Sequence, residues 1–264
     1  MSSVTQRIKE IKQPYGGYLK PSLFKKIVYK DEKILNEENV HASIIGMAVD
    51  YLTRYMMGTS KENAFDISIR GYQNRIMILG KDVIKNDRKE KKDIETLLNQ
   101  INGLDDKSII AVCKLCTYDV WYRNTMNAFM ATGATSINPD ENTIENIKIM
   151  VERSISFWKL YGPIIKDGFT FEGGYTKTVD AGDGDFLTKD TLWDYKVSKT
   201  APTNKHTLQL LMYWIMGKHS KKIEFENIDK IGIFNPRLNV TYLYEMKNIP
   251  EETIEIIEKE VIGY

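Results

Sequence analysis

Between Gly182 and Lys196 the sequence reads Gly-Asp-Gly-Asp-Phe-Leu-Thr-Lys-Asp-Thr-Leu-Trp-Asp-Tyr-Lys, and three of its charged residues have the spacing to meet. Successive side chains of a strand point to opposite faces. Asp194 and Lys196 therefore share one face, while Trp193, Tyr195 and Val197 share the other. In the run before, Asp185 shares a face with Leu187, and a tight turn at Lys189-Asp190 brings Asp185 opposite Asp194. Two carboxylates beside an ammonium suit a hard divalent ion that takes oxygen ligands, Mg²⁺. Such an ion polarises a phosphoryl oxygen and lowers the pKa of a bound water. Lys196 would orient or deprotonate that water and offset charge in the transition state. The chemistry this constellation fits is hydrolysis of a phosphodiester.

An acid two residues before a lysine decides nothing alone, since the pattern recurs at Glu10, Asp31, Asp87, Glu90, Asp105 and Glu245. What separates Asp194 is the Gly184-Asp185 run before it and the helix-like run after it. There Gln209 and Tyr213 lie four apart, one turn apart on one face. Leu208, Leu211, Met212 and Ile215 give the same helix an apolar stripe, so a packing role competes with a chemical one. Asp180 and Asp183 compete with Asp185, because a small register change moves the ligand, and Glu172 is a further candidate from the preceding strand.

Gly184-Asp185-Phe, Asp194-Tyr195-Lys196 and Gln209-Leu-Leu-Met-Tyr213 together resemble the PD-(D/E)XK nuclease superfamily over residues 170 to 235. The branch is the one with a Gln-x-x-x-Tyr motif, which includes RecB-type nuclease domains, CRISPR-adaptation nucleases and phage recombination exonucleases. The resemblance implies a restriction-endonuclease-like α/β core: helix, three-strand meander, helix and strand around a mixed sheet. It also implies Mg²⁺- or Mn²⁺-dependent cleavage of DNA, exonuclease-like in style, with Asp185, Asp194, Lys196, Gln209 and Tyr213 as catalytic residues. The metal would sit at Asp50, Asp185, Asp194 and Tyr195. Many relatives carry a glycine followed four residues later by a histidine ligand; Gly46-Met-Ala-Val-Asp50 has that spacing with an aspartate. The competing role for Asp50 is pairing with Arg54 at i+4, and His41 reads as a surface histidine at a helix start. Lys199, Lys205 and His206 are candidate DNA contacts, as are Lys218, Lys221, Lys222 and Arg237. The alternative is a catalytically inactive nuclease-like module that binds nucleic acid or protein. Protein partners, in recombination, phage or defence systems, fit either reading.

The 264 residues carry 37 basic and 36 acidic side chains, a formal charge of +1. With no overall polycation, any DNA contact must come from local clustering. Cys113 and Cys116 are the two cysteines; zinc wants about four ligands, so they read as small core residues. No run of about 18 apolar residues predicts a membrane span, and the first residues lack a secretory leader's apolar core. A cytoplasmic protein is expected.

Elements must hold the candidates in place. Pro14-Tyr-Gly-Gly reads as a loop, and Pro21 opens a short helix through Tyr29. A long helix starts after an Asn36 cap, carries Val40, Ile44, Ile45, Ala48, Leu52 and Tyr55 at helical spacing, and stops at Gly58. Residues 61–85 fit helix or strand, and Lys85 to Asp93 is a charged run. Ile94–Ile101, Ser108–Met130 and Asn142–Leu160 read as helices. Strands are predicted at Phe169–Glu172, Tyr175–Val179, Gly184–Thr188, Thr191–Val197, Ile231–Phe234 and Val240–Tyr244, with helices from Asn204 to Met216 and after Pro250. The expectation is one domain over 1–264, with a helical insertion at 86–160 between the first helix and the meander.

Overall fold

The computed structural model describes residues 2–82, 94–131 and 133–264; the charged run from Lys85 to Asp93, and position 86 where the insertion was expected to start, lie outside the described residues. The elements, in chain order, are β1 (Ser2–Ser3), α1 (Val4–Glu10), β2 (Lys25–Val28), α2 (Ala42–Met56), α3 (Lys61–Ala64), α4 (Asp66–Leu79), α5 (Ile94–Gln100) and α6 (Asp106–Leu115). Then come α7 (Asp119–Arg123), α8 (Thr125–Ala128), α9 (Glu141–Tyr161), β3 (Lys166–Phe169), β4 (Val179–Ala181), β5 (Gly184–Leu187) and β6 (Thr191–Tyr195). The chain ends with α10 (Asn204–His219), β7 (Lys230–Asn235), β8 (Val240–Glu245) and α11 (Glu251–Ile256). It divides into two compact units, Met1–Lys30 with Phe157–Tyr264, and Asp31–Ser156.

The first unit is α/β. Six strands form one mixed sheet in the order β2-β8-β7-β6-β5-β3. β3, β5 and β6 make an antiparallel meander, whereas β6 and β7 run parallel. A parallel pair needs a crossover, and α10 supplies it. Alternation sorts the sheet's faces. Trp193, Phe186 and Phe234 meet the end of α9: Phe157 stacks on Phe234 with centroids 4.0 Å apart, Trp158 lies 4.6 Å from Phe186, and Tyr161 meets Trp193 at 5.0 Å. Leu187, Leu192, Ile231 and Ile233 belong to a core with Leu208, Leu211, Met212 and Ile215 of α10. Each such buried side chain contributes about 1.5–3 kcal/mol over leaving it in water. At position 232 only glycine fits, because a Cβ there would sit 2.3 Å from the Trp193 ring.

Three expectations in this unit need correction. The helix expected from Pro21 to Tyr29 is a single 3₁₀ turn, Pro21–Leu23, followed by β2. β2 pairs with β8 and carries exposed Lys25 and Lys26, charges that protect a sheet edge. The strand expected at Phe169–Glu172 lies earlier, at Lys166–Phe169, and the run from Tyr175 contributes only β4, which leaves the main sheet to pair with β1.

The second unit is helical among the described residues. Its first helix begins at Ala42, with His41 as the cap whose Nδ1 accepts the Ser43 N–H at 3.3 Å. Asn36 does not cap it: Asn36 N–H donates to Asn146 Oδ1 at 3.0 Å and Asn39 N–H to Thr143 Oγ1 at 3.0 Å, so α9 side chains hold this stretch out of the helix. The segment at 61–79 resolves to α3 and α4. The expected continuous helix Ser108–Met130 is broken into α6, a 3₁₀ turn, α7 and α8. Asp119 sits buried at the break, accepting Tyr51 Oη at 2.5 Å and Ser68 Oγ at 2.5 Å. Burial raises its carboxyl pKa despite these bonds. Cys113 and Cys116 are buried free thiols, and burial pushes Cys113 up to about 12.

Candidate active site

The site is assembled at the end of the β5–β6 hairpin. Phe186 pairs with Trp193 and Leu187 with Leu192. One step further along the same register brings Asp185 level with Asp194, on the face that packs against α10. The Asp185 carboxylate accepts the Tyr195 N–H at 2.8 Å, so it closes the open end of the hairpin itself. Glycine at 184 lets this happen: a Cβ there would come within 2.3 Å of the Phe169 ring on β3. On the other side β7 holds the chain, with Lys196 N–H donating to Phe234 O at 3.0 Å and Asn235 Nδ2 to Ser198 O at 2.8 Å.

Asp194 is 2% exposed. Its Oδ1 accepts Lys196 Nζ at 2.9 Å, whereas Oδ2 is buried with no hydrogen-bond partner. An unmade bond on a buried acceptor costs about 1–3 kcal/mol, so this oxygen is a departure from ordinary packing. Burial alone would lower the Lys196 pKa. The charges of Asp194 and Asp185 and the bond to Asp194 outweigh it, and the net shift is upward. Lys196 is thus a fixed cation and donor here.

On α10, Gln209 Nε2 donates to Tyr213 Oη at 3.0 Å. Tyr213 is buried and stacks on Phe171 with centroids 4.9 Å apart. Burial raises its hydroxyl pKa, as do Asp194, Asp185 and Asp183, while the Gln209 bond works against the shift. The pair therefore faces the acidic cluster, but Gln209 spends its amide on Tyr213 and not on Lys196. Tyr175 escaped the sequence reading. Its hydroxyl accepts the Phe171 N–H at 3.1 Å and donates to Gly182 O at 3.1 Å, strapping the loop that delivers Asp185. An aromatic one residue after a glycine pair gives no signal of that role.

Other candidates lie as follows. Lys199 and Lys205 are exposed on the loop after β6 and the first turn of α10. His206 is half-buried on that turn, and burial together with the Lys196 charge lowers its pKa. Asp183 and Asp180 are exposed. Glu172 is exposed and bound by Lys222, and Lys218 donates to the Phe225 and Glu226 carbonyls. These partners answer for Glu172, Lys218 and Lys222 without any ligand. Arg237 is buried in the turn after β7. Asp50 belongs to the second unit, where Arg54 binds its carboxylate at 2.9 Å, the i+4 pairing that competed with a ligand role.

Among the described residues, no group of three or more His, Cys, Asp and Glu side chains is arranged to hold a metal ion. The donors at the hairpin are nonetheless of the right kind: a buried carboxylate oxygen without a partner, a second carboxylate and the chain's own carbonyls, all hard oxygen ligands. No helix among the described residues is long and apolar enough to cross a membrane. Compared with known proteins, the chain matches no family model, no curated protein and no solved structure.

Proposed function

We propose that the hairpin is the centre of a Mg²⁺- or Mn²⁺-dependent deoxyribonuclease built on a restriction-endonuclease-like core. The observation that carries this reading is the Asp194 carboxylate, buried with one oxygen on Lys196 and the other without a partner. The β3-β5-β6 meander followed by α10 and β7 supports it as the strand, helix and strand part of that core. Asp194 and Asp185, with the main-chain carbonyl of Tyr195, are the oxygens that would hold the ion. When bound, the ion supplies a Lewis acid and a water of lowered pKa.

The chain's own residues do the rest. Lys196 keeps its proton, sits against Asp194 and offsets the negative charge that grows on the phosphoryl oxygens. Asp185 fixes the Tyr195 backbone as well as offering a carboxylate. Tyr213 and Gln209 wall the acidic cluster from α10 and exclude water from that side. Purified protein with Mn²⁺ or Mg²⁺ is expected to degrade end-labelled DNA, and Asp194→Ala or Lys196→Ala to abolish it. Full activity in either variant sinks the mechanism.

A second reading, a nuclease-like binding module without catalysis, draws on the lack of a third clustered donor among the described residues. Calorimetry separates the two. Mn²⁺ binding that disappears in Asp185→Ala and Asp194→Ala supports the enzyme; no such binding supports the module.

A further inference from the structure

α4, α7 and α8 of the helical unit build a surface of their own. Gly71 lets α4 come close to the start of α7, since a Cβ there would sit 2.0 Å from the Tyr118 carbonyl oxygen. Asn74 Nδ2 donates to the Trp121 carbonyl at 3.4 Å, and the Arg75 guanidinium lies 5.7 Å from the Trp121 ring centre. Trp121, buried by these neighbours, meets Phe129 edge-on at 5.1 Å. Outside this frame stand Met77, Tyr122, Met126, Phe129 and Met130, each between 43% and 91% exposed. Met77 follows Asn74 by one turn, and Met126 and Met130 flank Phe129 in the chain, so the five share one neighbourhood. Exposed apolar side chains clustered in this way mark an interaction surface.

Charge selects the partner. About one residue in seven of the chain is acidic, so residues 67–81 and 120–139 together should hold about five Asp or Glu. They hold none, against Arg70, Arg75, Lys81 and Arg123. Arg70 is half exposed, is oriented by Asp66 at 2.8 Å, and lies over Tyr122 with the ring centre 5.9 Å away. A symmetric contact with a second copy would set two such basic faces against each other, and like charges oppose it. An anionic partner with flat apolar groups fits instead: unpaired bases stack on aromatic rings while arginines take the phosphates. We infer that this face binds single-stranded DNA, with Tyr122 and Phe129 as stacking residues and Arg70 on the backbone. With an overall charge of +1, a DNA contact needs a local cluster of this kind. The choice of DNA over RNA rests on the nuclease reading above; the stacking surface does not.

The test uses the whole protein in EDTA, which holds metal-dependent cleavage off, with fluorescein-labelled oligo(dT) read by anisotropy. Tyr122→Leu and Phe129→Leu keep apolar bulk and remove the ring face. Each is expected to weaken binding by between about fivefold and a hundredfold, the range for one stacked base. Arg70→Gln removes one phosphate contact, so the slope of log Kd against log salt should fall by about 0.7. These side chains are exposed, so the thermal midpoints should stay within about 2 °C of the parent's. A duplex of the same length, its bases stacked on each other, is expected to bind more weakly than the single strand. Parent-like affinity in both ring variants overturns the inference, as does a parent that binds no single strand. A parent dimer in sedimentation that Met126→Ser or Met130→Ser breaks apart overturns it too, and gives the face to a second copy. Tighter binding of oligo(U) than of oligo(dT) overturns the choice of DNA. The nuclease reading fails separately: a parent that binds oligo(dT) through Tyr122 and Phe129, yet leaves it uncut in Mn²⁺, loses the hairpin mechanism and keeps this surface.

Discussion

Asp194→Asn keeps the shape of the side chain and withdraws the charge that pairs with Lys196 and on which the proposed ion would depend. In the parent, Oδ1 is engaged by Lys196 and Oδ2 is buried without a partner. An ion that takes Oδ2 binds the folded chain and not the unfolded one. At a concentration a hundredfold above its Kd it stabilises by about 2.7 kcal/mol. For a domain of this size each kcal/mol moves the thermal midpoint by about 2–4 °C. Mn²⁺ is therefore expected to raise the parent's midpoint by roughly 5–11 °C. The amide of the Asn variant has one oxygen, which Lys196 claims, and an NH₂ group in place of the ligand. Its midpoint should move by less than about 1 °C on adding Mn²⁺. The hairpin belongs to the first unit, so the signal must come from that unit. Near-ultraviolet circular dichroism reports it through Trp158 and Trp193, which pack on each other and on Phe157. A parent midpoint indifferent to Mn²⁺, or an equal rise in the variant, refutes the reasoning.

Lys196→Met removes the fixed cation and is expected to lower kcat by roughly 10²–10³ with KM little changed; Lys196→Arg should recover part of it, and steady-state DNA cleavage decides. Asp31→Ala strips the largely buried Arg153 of its carboxylate partner, at 2.7 Å, and should cost the helical unit about 1–3 kcal/mol in urea unfolding. The Arg153 hydrogen bond holds the Asp31 carboxyl below its ordinary range. That contribution is full above the ordinary aspartate pKa and is lost as pH falls through the lowered one, so parent and variant should converge in acid. Gly232→Ala drives a methyl against the Trp193 ring, which Phe157, Trp158 and Tyr161 pin from behind. Overpacking of that kind costs about 1–3 kcal/mol, measurable as a lower urea midpoint.

The hairpin was legible because its signals are local: period-two alternation, a short turn and a glycine where β3 crowds β5. The α10 pair Gln209 and Tyr213 was legible in spacing, but not in outcome, since no pattern says that the amide is spent on the hydroxyl. Tyr175 left no trace because its partners, Phe171 N–H and Gly182 O, are backbone groups without residue identity. The helix start at Ala42 was missed because Asn146 and Thr143, remote in sequence, claim Asn36 and Asn39. The break near Asp119 was hidden in the same way. Its apolar spacing reads as unbroken helix, and Tyr51, Ser68 and Arg123 explain why a carboxylate is buried there. The boundary between units falls inside α9, at Ser156 and Phe157, where the helical pattern continues without interruption.

The parallel pairing of β6 and β7 has a consequence in time. Protein synthesis delivers both aspartates and Lys196 before it delivers β7. Until Phe234 and Asn235 arrive, the backbone just after Asp194 has only one neighbour, and the Lys196 N–H lacks its acceptor. A nascent chain holds every side chain of the site without the strand that aligns them, and that strand can join only after α10 has crossed over. Non-local pairings of this kind form slowly. Whatever chemistry the hairpin performs must wait for them.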